Sequence, residues 1–200
     1  MTIPFEYPAL PHVRRHGPIG YAHYSSYRPW LRDEFGFRCV YCLTRESWGA
    51  FRGLFAIDHL TAVCILPDAG TRYENLVYAC NVCNSAKADR PIPDPLSNLL
   101  GDTVEVRPDG AIVGHTPAAG RLIEILGLDN PRMVEWRELI NEVVSLSAKF
   151  DRELYLRLLS FPLDLPKLST LRPPEGNTRP EGIEQSHFSR RQRGELPETY

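Results

Sequence analysis

The chain has 200 residues, of which 42% are hydrophobic, and its formal net charge is −2. This length suffices for one hydrophobic core with small appendages, and the near-neutral charge argues against a protein that coats nucleic acid by bulk electrostatics. No apolar run approaches the roughly 18 residues that a membrane span needs, and no secretory signal pattern opens the sequence, so we expect a cytoplasmic protein with no membrane partner.

The N-terminal part of the chain is predicted to contain one helix. Prolines recur through residues 1–20, which predicts an extended arm rather than a packed element. A helix is predicted from about Tyr27 to Phe35. Ser26 can cap this helix, Pro29 lies in its first turn, and Gly36 can end it.

The central part of the chain is predicted to run strand, loop, strand, helix. Alternating, branched residues predict a strand from Leu54 to Val63, with Asp58 and His59 at its centre. Proline, aspartate and glycine predict a loop from Leu66 to Asn75. The short apolar stretch "LVYA" predicts a second strand, and "CNVCNSAKADR" predicts a brief helix that stops before Pro91.

The remainder is predicted to form an accessory region over residues 92–160 and a tail. The "TVEVRPDGAIVGHT" stretch predicts a β-hairpin turning at Pro108–Gly110. Helices are predicted from Ala118 to Leu126 and from Pro131 to about Ser160. Apolar residues of the longer helix recur at spacings of three and four, which predicts one buried stripe: Leu139, Val143, Leu146, Phe150, Leu154 and Leu158. Proline, glycine and charge predict a disordered tail over residues 161–200.

The five cysteines indicate a metal site. Four form the pairs Cys39-x-x-Cys42 and Cys80-x-x-Cys83, and disulfides are disfavoured in a reducing compartment. Two such knuckles have the ligand type of a closed, four-thiolate zinc site, which is structural because no position is left for water or substrate. The alternative is that each pair consists of unrelated buried thiols. The fifth, Cys64, is interpreted as a small buried hydrophobic residue.

Three stretches carry a family resemblance. "AIDHL", then Asn75 in "ENLVYAC", then "CNVCNSAK" resemble the HNH endonuclease family in its four-cysteine, zinc-containing form, and the match covers roughly Phe37 to Arg90. The resemblance implies a zinc-stapled ββα-metal nuclease core, assigned to residues 21–91, within an α+β chain. Two features depart from the family pattern: Asn84 stands at the third motif position, and no proline follows the Asp-His pair at Ala62 and Val63.

The motif residues have chemistry that suits phosphodiester hydrolysis. The oxygens of Asp58 and Asn84 are suitable ligands for Mg²⁺ or Mn²⁺. His59 can act as general base on the attacking water. Neighbouring residues of an ideal strand point to opposite faces, so Asp58 and His59 need a bulge or twist to share a pocket. The resemblance implies that Asn75 ties the loop between the strands and orients His59, and that the products carry 5′-phosphate and 3′-hydroxyl groups.

Two basic residues are candidates for substrate binding. Lys87 lies one turn beyond Asn84 and is predicted to contact a neighbouring phosphate. Arg72 lies on the loop between the predicted strands and is a second candidate for a phosphate contact. The other histidines, at positions 12, 16, 23, 115 and 187, have no partners at ligand spacing and are interpreted as non-functional.

The leading hypothesis is a metal-dependent HNH endonuclease that acts on DNA. The alternative is a non-catalytic zinc module that binds nucleic acid or a protein. A third hypothesis keeps the nuclease and makes it a subunit of a larger DNA-handling assembly, such as a restriction or phage-defence system, because the long amphipathic helix and the proline-rich arm suit docking to a protein partner.

Overall fold

A computed structural model of the chain describes residues 4–48 and 55–200. Within these ranges helices accompany two separate two-stranded antiparallel sheets, in agreement with the predicted α+β class. The first sheet pairs β1 (Phe55–His59) with β2 (Leu76–Cys80), and the second pairs β3 (Val104–Val106) with β4 (Ile112–Gly114). The α-helices are α1 (Arg28–Glu34), α2 (Asn81–Lys87), α3 (Pro95–Asn98), α4 (Pro117–Leu126), α5 (Pro131–Phe150), α6 (Arg152–Leu159), α7 (Glu181–Glu184) and α8 (His187–Gln192).

The strands β1 and β2 and the helix α2 form one ββα unit, in the predicted order. Asp58 lies opposite Val77 and His59 lies opposite Leu76 in the antiparallel register. Helix α2 follows β2 directly, because Cys80 ends the strand and its sulfur accepts a hydrogen bond from the backbone N–H of Cys83, which caps the helix. His59 is the last residue of its strand, not a central one as predicted, and the first residue of the predicted strand, Leu54, lies outside the described residues.

Helix α1 lies against the ββα unit and contributes the buried side chains Trp30 and Leu31 to the core. It begins one residue later than predicted, since a 3₁₀ turn over Tyr24–Tyr27 precedes it and Ser26 makes no capping hydrogen bond. Gly36 follows the helix with φ of +57°, a left-handed conformation that glycine adopts without the strain of a side chain.

The hairpin β3–β4 and helix α4 match their predictions closely. Gly110 has φ of +79° in the turn between β3 and β4, as the Pro-Asp-Gly signal indicates. Thr116 caps α4 by accepting from the backbone N–H of Ala119, and Gly127 ends it in a left-handed conformation. Local sequence signals therefore fix this part of the fold.

The long helix differs from its prediction in two ways. It is two helices, because Asp151 leaves the helical conformation (φ −148°, ψ 86°) and its carboxylate accepts from the backbone N–H of Leu154 to start α6. The predicted apolar stripe is also not the buried face of α5: Leu139, Leu146 and Phe150 are exposed. The buried face carries Arg137, Ile140, Val144 and Ser147 instead.

Arg137 explains the orientation of α5. Its guanidinium is buried and donates to the carbonyl oxygens of Gly110 (2.7 Å) and Leu128 (2.6 Å). These two carbonyls belong to the hairpin turn and to the end of α4, so an arginine, not the leucine stripe, attaches α5 to the core. A buried guanidinium left without these acceptors would be strongly unfavourable, and this constraint outweighs the burial of a few leucines.

The terminal segments are packed, which corrects both predictions made for them. Phe5 and Tyr7 of the predicted arm are buried in the main core, although the arm has no helix or strand among its described residues 4–20. In the tail, α7 and α8 are present, and Phe161 and Leu165 are buried in a second apolar cluster with Phe37. The composition of the tail is too polar for a core of its own, and it is ordered because it packs on residues from the first fifth of the chain.

Candidate functional site

The four cysteines of the two C-x-x-C knuckles lie together in the core. Their sulfur atoms are all within 4.8 Å of one another, and all four side chains are buried. The Sγ atoms of Cys42 and Cys80 are 3.7 Å apart. In a zinc–thiolate tetrahedron with bonds of about 2.3 Å the sulfurs are about 3.8 Å apart, so this spacing suits the ion. The cluster could hold zinc, as predicted.

Local backbone geometry brings the first knuckle into position. Phe37 and Leu43 flank it with φ of 59° and 58°, conformations that side-chain-bearing residues rarely adopt. Between them the backbone N–H of Cys39 donates to the carbonyl of Thr44, and the N–H of Leu43 donates to the carbonyl of Cys39. The strain of two left-handed residues is typical of a turn that is held in place by a ligand or by tight packing.

The electrostatics of the cluster favour a bound cation. Burial raises the pKa of the Cys39 thiol, and the hydrogen bonds from the neighbouring thiols raise the pKa of Cys83. Hydrogen bonds from the other three cysteines lower the pKa of Cys42. Four buried thiols in contact compete for one thiolate, whereas a zinc ion would stabilise all four thiolates at once.

A cavity of about 410 Å³ lies beside the ββα unit and brings four predicted site residues together. Asp58, His59, Asn84 and Lys87 all line it. The two neighbouring residues of β1 share this cavity because His59 is the last residue of the strand, where the chain turns away. The lining also includes Tyr24, Ser85 and Cys64. Cys64 is exposed, which corrects its interpretation as a buried hydrophobic residue.

The ring of His59 is fixed in one orientation. Its Nε2 lies 2.9 Å from the carbonyl oxygen of Gly70, and the imidazole forms an edge-to-face pair with the Tyr24 ring, with the two centroids 4.9 Å apart. A carbonyl oxygen can only accept, so Nε2 carries the proton and Nδ1 of the neutral ring has a free lone pair. No described residue forms a hydrogen bond with that Nδ1. The ring is therefore held in the tautomer in which Nδ1 is the free nitrogen, as a general base that acts through Nδ1 requires.

Asn75 ties the connection between the two strands together. Its side-chain oxygen accepts from the backbone N–H of Thr61 (2.8 Å), and its amide donates to the carbonyls of Thr61 (3.0 Å) and Ala69 (3.2 Å). Its own carbonyl accepts from the N–H of Leu60. These bonds hold the segment that follows His59 and the turn that leads to Gly70. The carbonyl of Gly70 accepts the hydrogen bond from His59.

Asp58 has two partners that the sequence analysis did not assign to it. The hydroxyl of Tyr41 donates to Oδ2 (2.6 Å), and the ammonium of Lys87 donates to Oδ1 (3.1 Å). Lys87 also donates to the carbonyls of His59 (2.6 Å) and Ala88 (3.4 Å). Only 1% of the Lys87 side chain is exposed, and its ammonium contacts three internal acceptors. The predicted contact of Lys87 with a neighbouring phosphate stays a prediction.

The other two predicted site residues differ in position. Asn84 is half-buried on α2 and lines the cavity. Arg72 is exposed at the start of the 3₁₀ turn Tyr73–Asn75 and is not among the residues that line the cavity. The structure thus brings Asp58, His59, Asn84 and Lys87 together and leaves Arg72 apart.

Tyr41 connects the cysteine cluster to Asp58, since it lies between Cys39 and Cys42 in the first knuckle. We expect Tyr41→Phe to lower the free energy of unfolding by about 1–3 kcal/mol, because it leaves a buried carboxylate oxygen without its donor. Urea unfolding with matched zinc content measures the effect. Tyr24→Phe, at a half-exposed ring, is the control, and an equal loss in both variants would contradict a specific role for the Tyr41–Asp58 bond.

Three histidines interpreted as non-functional join a buried carboxylate cluster. Nε2 of His16 and Nδ1 of His187 lie 2.8 Å and 3.0 Å from the carboxylate oxygens of Asp33. Nε2 of His12 lies 2.9 Å from Oε1 of Glu34, which also accepts from the backbone N–H of Arg15. These bonds attach the N-terminal arm and α8 to α1. These partners lie up to 154 residues apart in sequence, so no spacing of residues along the chain predicts them.

This carboxylate cluster makes the fold sensitive to acid. Burial alone would raise the pKa of Glu34, but the hydrogen bonds from His12 and the N–H of Arg15 outweigh it and lower that pKa to about 2. A lowered carboxylate pKa adds stability that is complete above the ordinary value of 4.5 and is lost as the pH falls towards 2. We expect Glu34→Gln to be less stable than the parent at pH 7 and the difference in urea midpoint to narrow between pH 5 and pH 2. Glu142→Gln, on the exposed face of α5, should show no such narrowing, and a constant difference for Glu34→Gln would contradict the assignment.

Comparison of the sequence with protein-family models and with curated proteins finds no match to either. Among the described residues no helix is long and apolar enough to cross a membrane. The geometry of the cavity and of the cysteine cluster is therefore the main basis for a functional assignment.

Proposed function

We propose that this protein is a metal-dependent HNH-type endonuclease that hydrolyses phosphodiester bonds in DNA. One observation carries the proposal: Asp58, His59 and Asn84 line a single cavity on a ββα unit whose strand and helix also supply half of a four-cysteine cluster. The resemblance of "AIDHL", Asn75 and "CNVCNSAK" to the HNH motif supports the same assignment.

The cavity contains the donor types that Mg²⁺ or Mn²⁺ prefers. Asn84 makes no side-chain hydrogen bond with a described residue, and a carboxylate has about four acceptor sites, of which Tyr41 and Lys87 use two on Asp58. Asp58 and Asn84 would hold the divalent ion, with water and substrate phosphate as further ligands. When bound, the ion would supply charge stabilisation to the phosphorane and to the leaving 3′ oxygen.

His59 has the role of general base. A water molecule in the cavity would donate its proton to Nδ1 while its oxygen attacks the scissile phosphorus, and the bond to the 3′ oxygen breaks. The departing 3′ oxygen would take up a proton from solvent to give the 3′ hydroxyl. The Gly70 carbonyl keeps the proton on Nε2 and stabilises the imidazolium that forms. Asn75 acts on this step through the backbone, since it fixes the turn that carries Gly70.

A structural zinc ion in the four-cysteine cluster would fix the geometry of this site. The cluster joins the knuckle after α1 to the start of α2, and Tyr41 extends from that knuckle to Asp58. Loss of the ion would release Tyr41 and Asn84 at the same time, because both belong to segments that the cluster holds.

The alternative function is a non-catalytic zinc module, and the partners of Asp58 favour it. Both carboxylate oxygens are hydrogen-bonded and an ammonium neutralises the charge, so Asp58 can be explained as a structural residue.

A nuclease subunit of a restriction or phage-defence assembly is a variant of the leading proposal. The exposed apolar residues Leu139, Leu146 and Phe150 of α5 are available for such a protein partner.

Metal binding distinguishes the nuclease from the zinc module. We expect zinc-loaded protein to bind about one Mn²⁺ with sub-millimolar affinity in electron paramagnetic resonance titrations, and Asp58→Asn and Asn84→Ala each to weaken binding about tenfold or more. Asn81→Ala, on the exposed side of α2, is the matched control. Mn²⁺ binding that is absent from the parent protein, or unchanged in Asp58→Asn, would favour the zinc module.

A further inference from the structure

Lys87 has an unusual environment for a lysine. Its side chain is almost fully buried, yet it lines the same cavity as Asp58, His59 and Asn84. Lysine is rarely buried unless it is paired. Its three N–H donors match three internal acceptors, namely Oδ1 of Asp58 and the carbonyl oxygens of His59 and Ala88. The ammonium is therefore fixed at the wall of the cavity, and its one charged partner among the described residues is Asp58.

Asp58, the carboxylate proposed to hold the divalent ion, already has a cation beside it. The carboxylate is buried, and Tyr41 and Lys87 each donate to one of its two oxygens. Each oxygen keeps a second acceptor site that an ion could use. An ion bound there would share the carboxylate with an ammonium, and two cations repel each other strongly where water is largely excluded. Lys87 therefore lowers the affinity of Asp58 for a divalent ion.

The other polar groups of the cavity do little to offset this repulsion. Asn84 offers a neutral amide oxygen, and the imidazole of His59 is neutral in the tautomer described above. Asp89 is the second carboxylate that lines the cavity, but it is exposed, so water screens its charge. An ion held by Asp58 and Asn84 thus leaves an excess of positive charge in the site. A phosphodiester group carries one negative charge and would reduce that excess.

We propose that Lys87 is an internal counter-ion of Asp58 that keeps the affinity of the cavity for a divalent ion low until a phosphodiester binds. This inference rests on the proposed function, because it concerns the same ion and the same substrate. The ion and the phosphodiester each raise the affinity of the protein for the other by the same factor. The ion is then held mainly when the bond to be cleaved is present.

Electron paramagnetic resonance titration of the zinc-loaded full chain with Mn²⁺ tests the role of the ammonium. Lys87→Met removes the charge and the donors, and Lys87→Gln removes the charge but keeps N–H donors. We expect each variant to bind Mn²⁺ at least about fivefold more tightly than the parent, the lower end of common coupling between sites. Lys87→Arg keeps the charge and should not gain affinity. Lys149→Met, at an exposed lysine of α5, should bind like the parent.

Dimethyl phosphate tests the coupling to substrate without any substitution. It carries the single negative charge of a phosphodiester, whereas trimethyl phosphate has a similar shape and no charge. We expect saturating dimethyl phosphate to tighten the binding of Mn²⁺ to the parent at least about fivefold. Trimethyl phosphate should have no effect. The gain should be smaller in Lys87→Gln, because that variant has less positive charge to offset.

Thermal unfolding separates this role of Lys87 from a purely structural one. Lys87→Met and Lys87→Gln should both melt below the parent without Mn²⁺, because the buried charge of Asp58 loses its partner. Saturating Mn²⁺ should raise the melting temperature of both variants by more than that of the parent, since they bind the ion more tightly. A structural role alone predicts equal or smaller gains in the variants.

The outcomes distinguish this inference from the proposed function. Mn²⁺ binding by the parent that neither Lys87 variant strengthens would overturn the role of Lys87 and leave the proposed function standing. Tighter binding in the variants with no effect of dimethyl phosphate on the parent would overturn the coupling to substrate. Mn²⁺ binding that is absent from the parent and from both Lys87 variants would overturn the inference and the proposed function together.

Discussion

Chelation of zinc from the four-cysteine cluster is expected to unfold the ββα unit and to abolish every activity that depends on it. Structural zinc contributes about 10–16 kcal/mol of apparent binding free energy in small zinc domains, whereas whole domains are stable by only about 5–15 kcal/mol. The cluster joins segments that are 38 residues apart at Cys42 and Cys80, and the strands between them have only five residues each. Without the ion, the knuckle keeps the hydrogen bonds from the Val40 N–H to the Tyr78 carbonyl and from the Tyr41 hydroxyl to Asp58, which contribute only about 1–3 kcal/mol each.

Single cysteine variants provide the specific test. We expect Cys42→Ser and Cys83→Ser to lose bound zinc in mass spectrometry and to melt at least 10 °C below the parent. Cys64→Ser is the matched control, since Cys64 is the one described cysteine outside the cluster, and it should keep one zinc per chain and the melting temperature of the parent. Retention of zinc and of the melting temperature in both cluster variants would contradict a zinc-stapled fold.

The second large effect is expected at His59. His59→Ala should lower the rate of DNA cleavage by about 100- to 10,000-fold, the range that a positioned general base contributes. Folding should be little affected, because the ring is only partly buried and its one described hydrogen bond is to the Gly70 carbonyl. The variant should therefore keep its zinc, its melting temperature and its affinity for Mn²⁺.

Plasmid nicking under single-turnover conditions measures this effect, with His115→Ala as the control. His115 is half-exposed beside Glu105 on the second hairpin, away from the cavity. We expect His115→Ala to cleave like the parent. A His59→Ala protein that nicks DNA at the parental rate would show that the imidazole is not the base.

Much of the fold follows from signals within a few residues. The order of β1, β2 and α2, the turn at Gly110 and the left-handed end of α4 at Gly127 were predictable because glycine, proline and capping residues act locally. The cysteine cluster was predictable for a similar reason, since two C-x-x-C spacings specify ligands whatever the chain does between them.

The remainder depends on contacts that spacing does not encode. The leucine stripe of α5 predicted the wrong buried face, because the acceptors of Arg137 lie on two other elements. The tail was predicted to be disordered because its composition is polar, yet His187 binds Asp33. Within the candidate site, the sequence indicates Asp58 and Lys87 separately but not the ion pair between them. That ion pair forms because α2 packs against β1 in the folded chain.

Plasmid cleavage by the parent protein tests the central claim most directly, namely that a zinc-stapled ββα unit presents Asp58, His59 and Asn84 to a scissile phosphate. Zinc-loaded protein is incubated with supercoiled DNA in Mg²⁺, in Mn²⁺ and in neither. The account predicts nicked circles that carry 5′-phosphate and 3′-hydroxyl ends, formed only when a divalent ion is added. Supercoiled DNA that remains intact under all three conditions, with one zinc per chain and a folded protein, would contradict it.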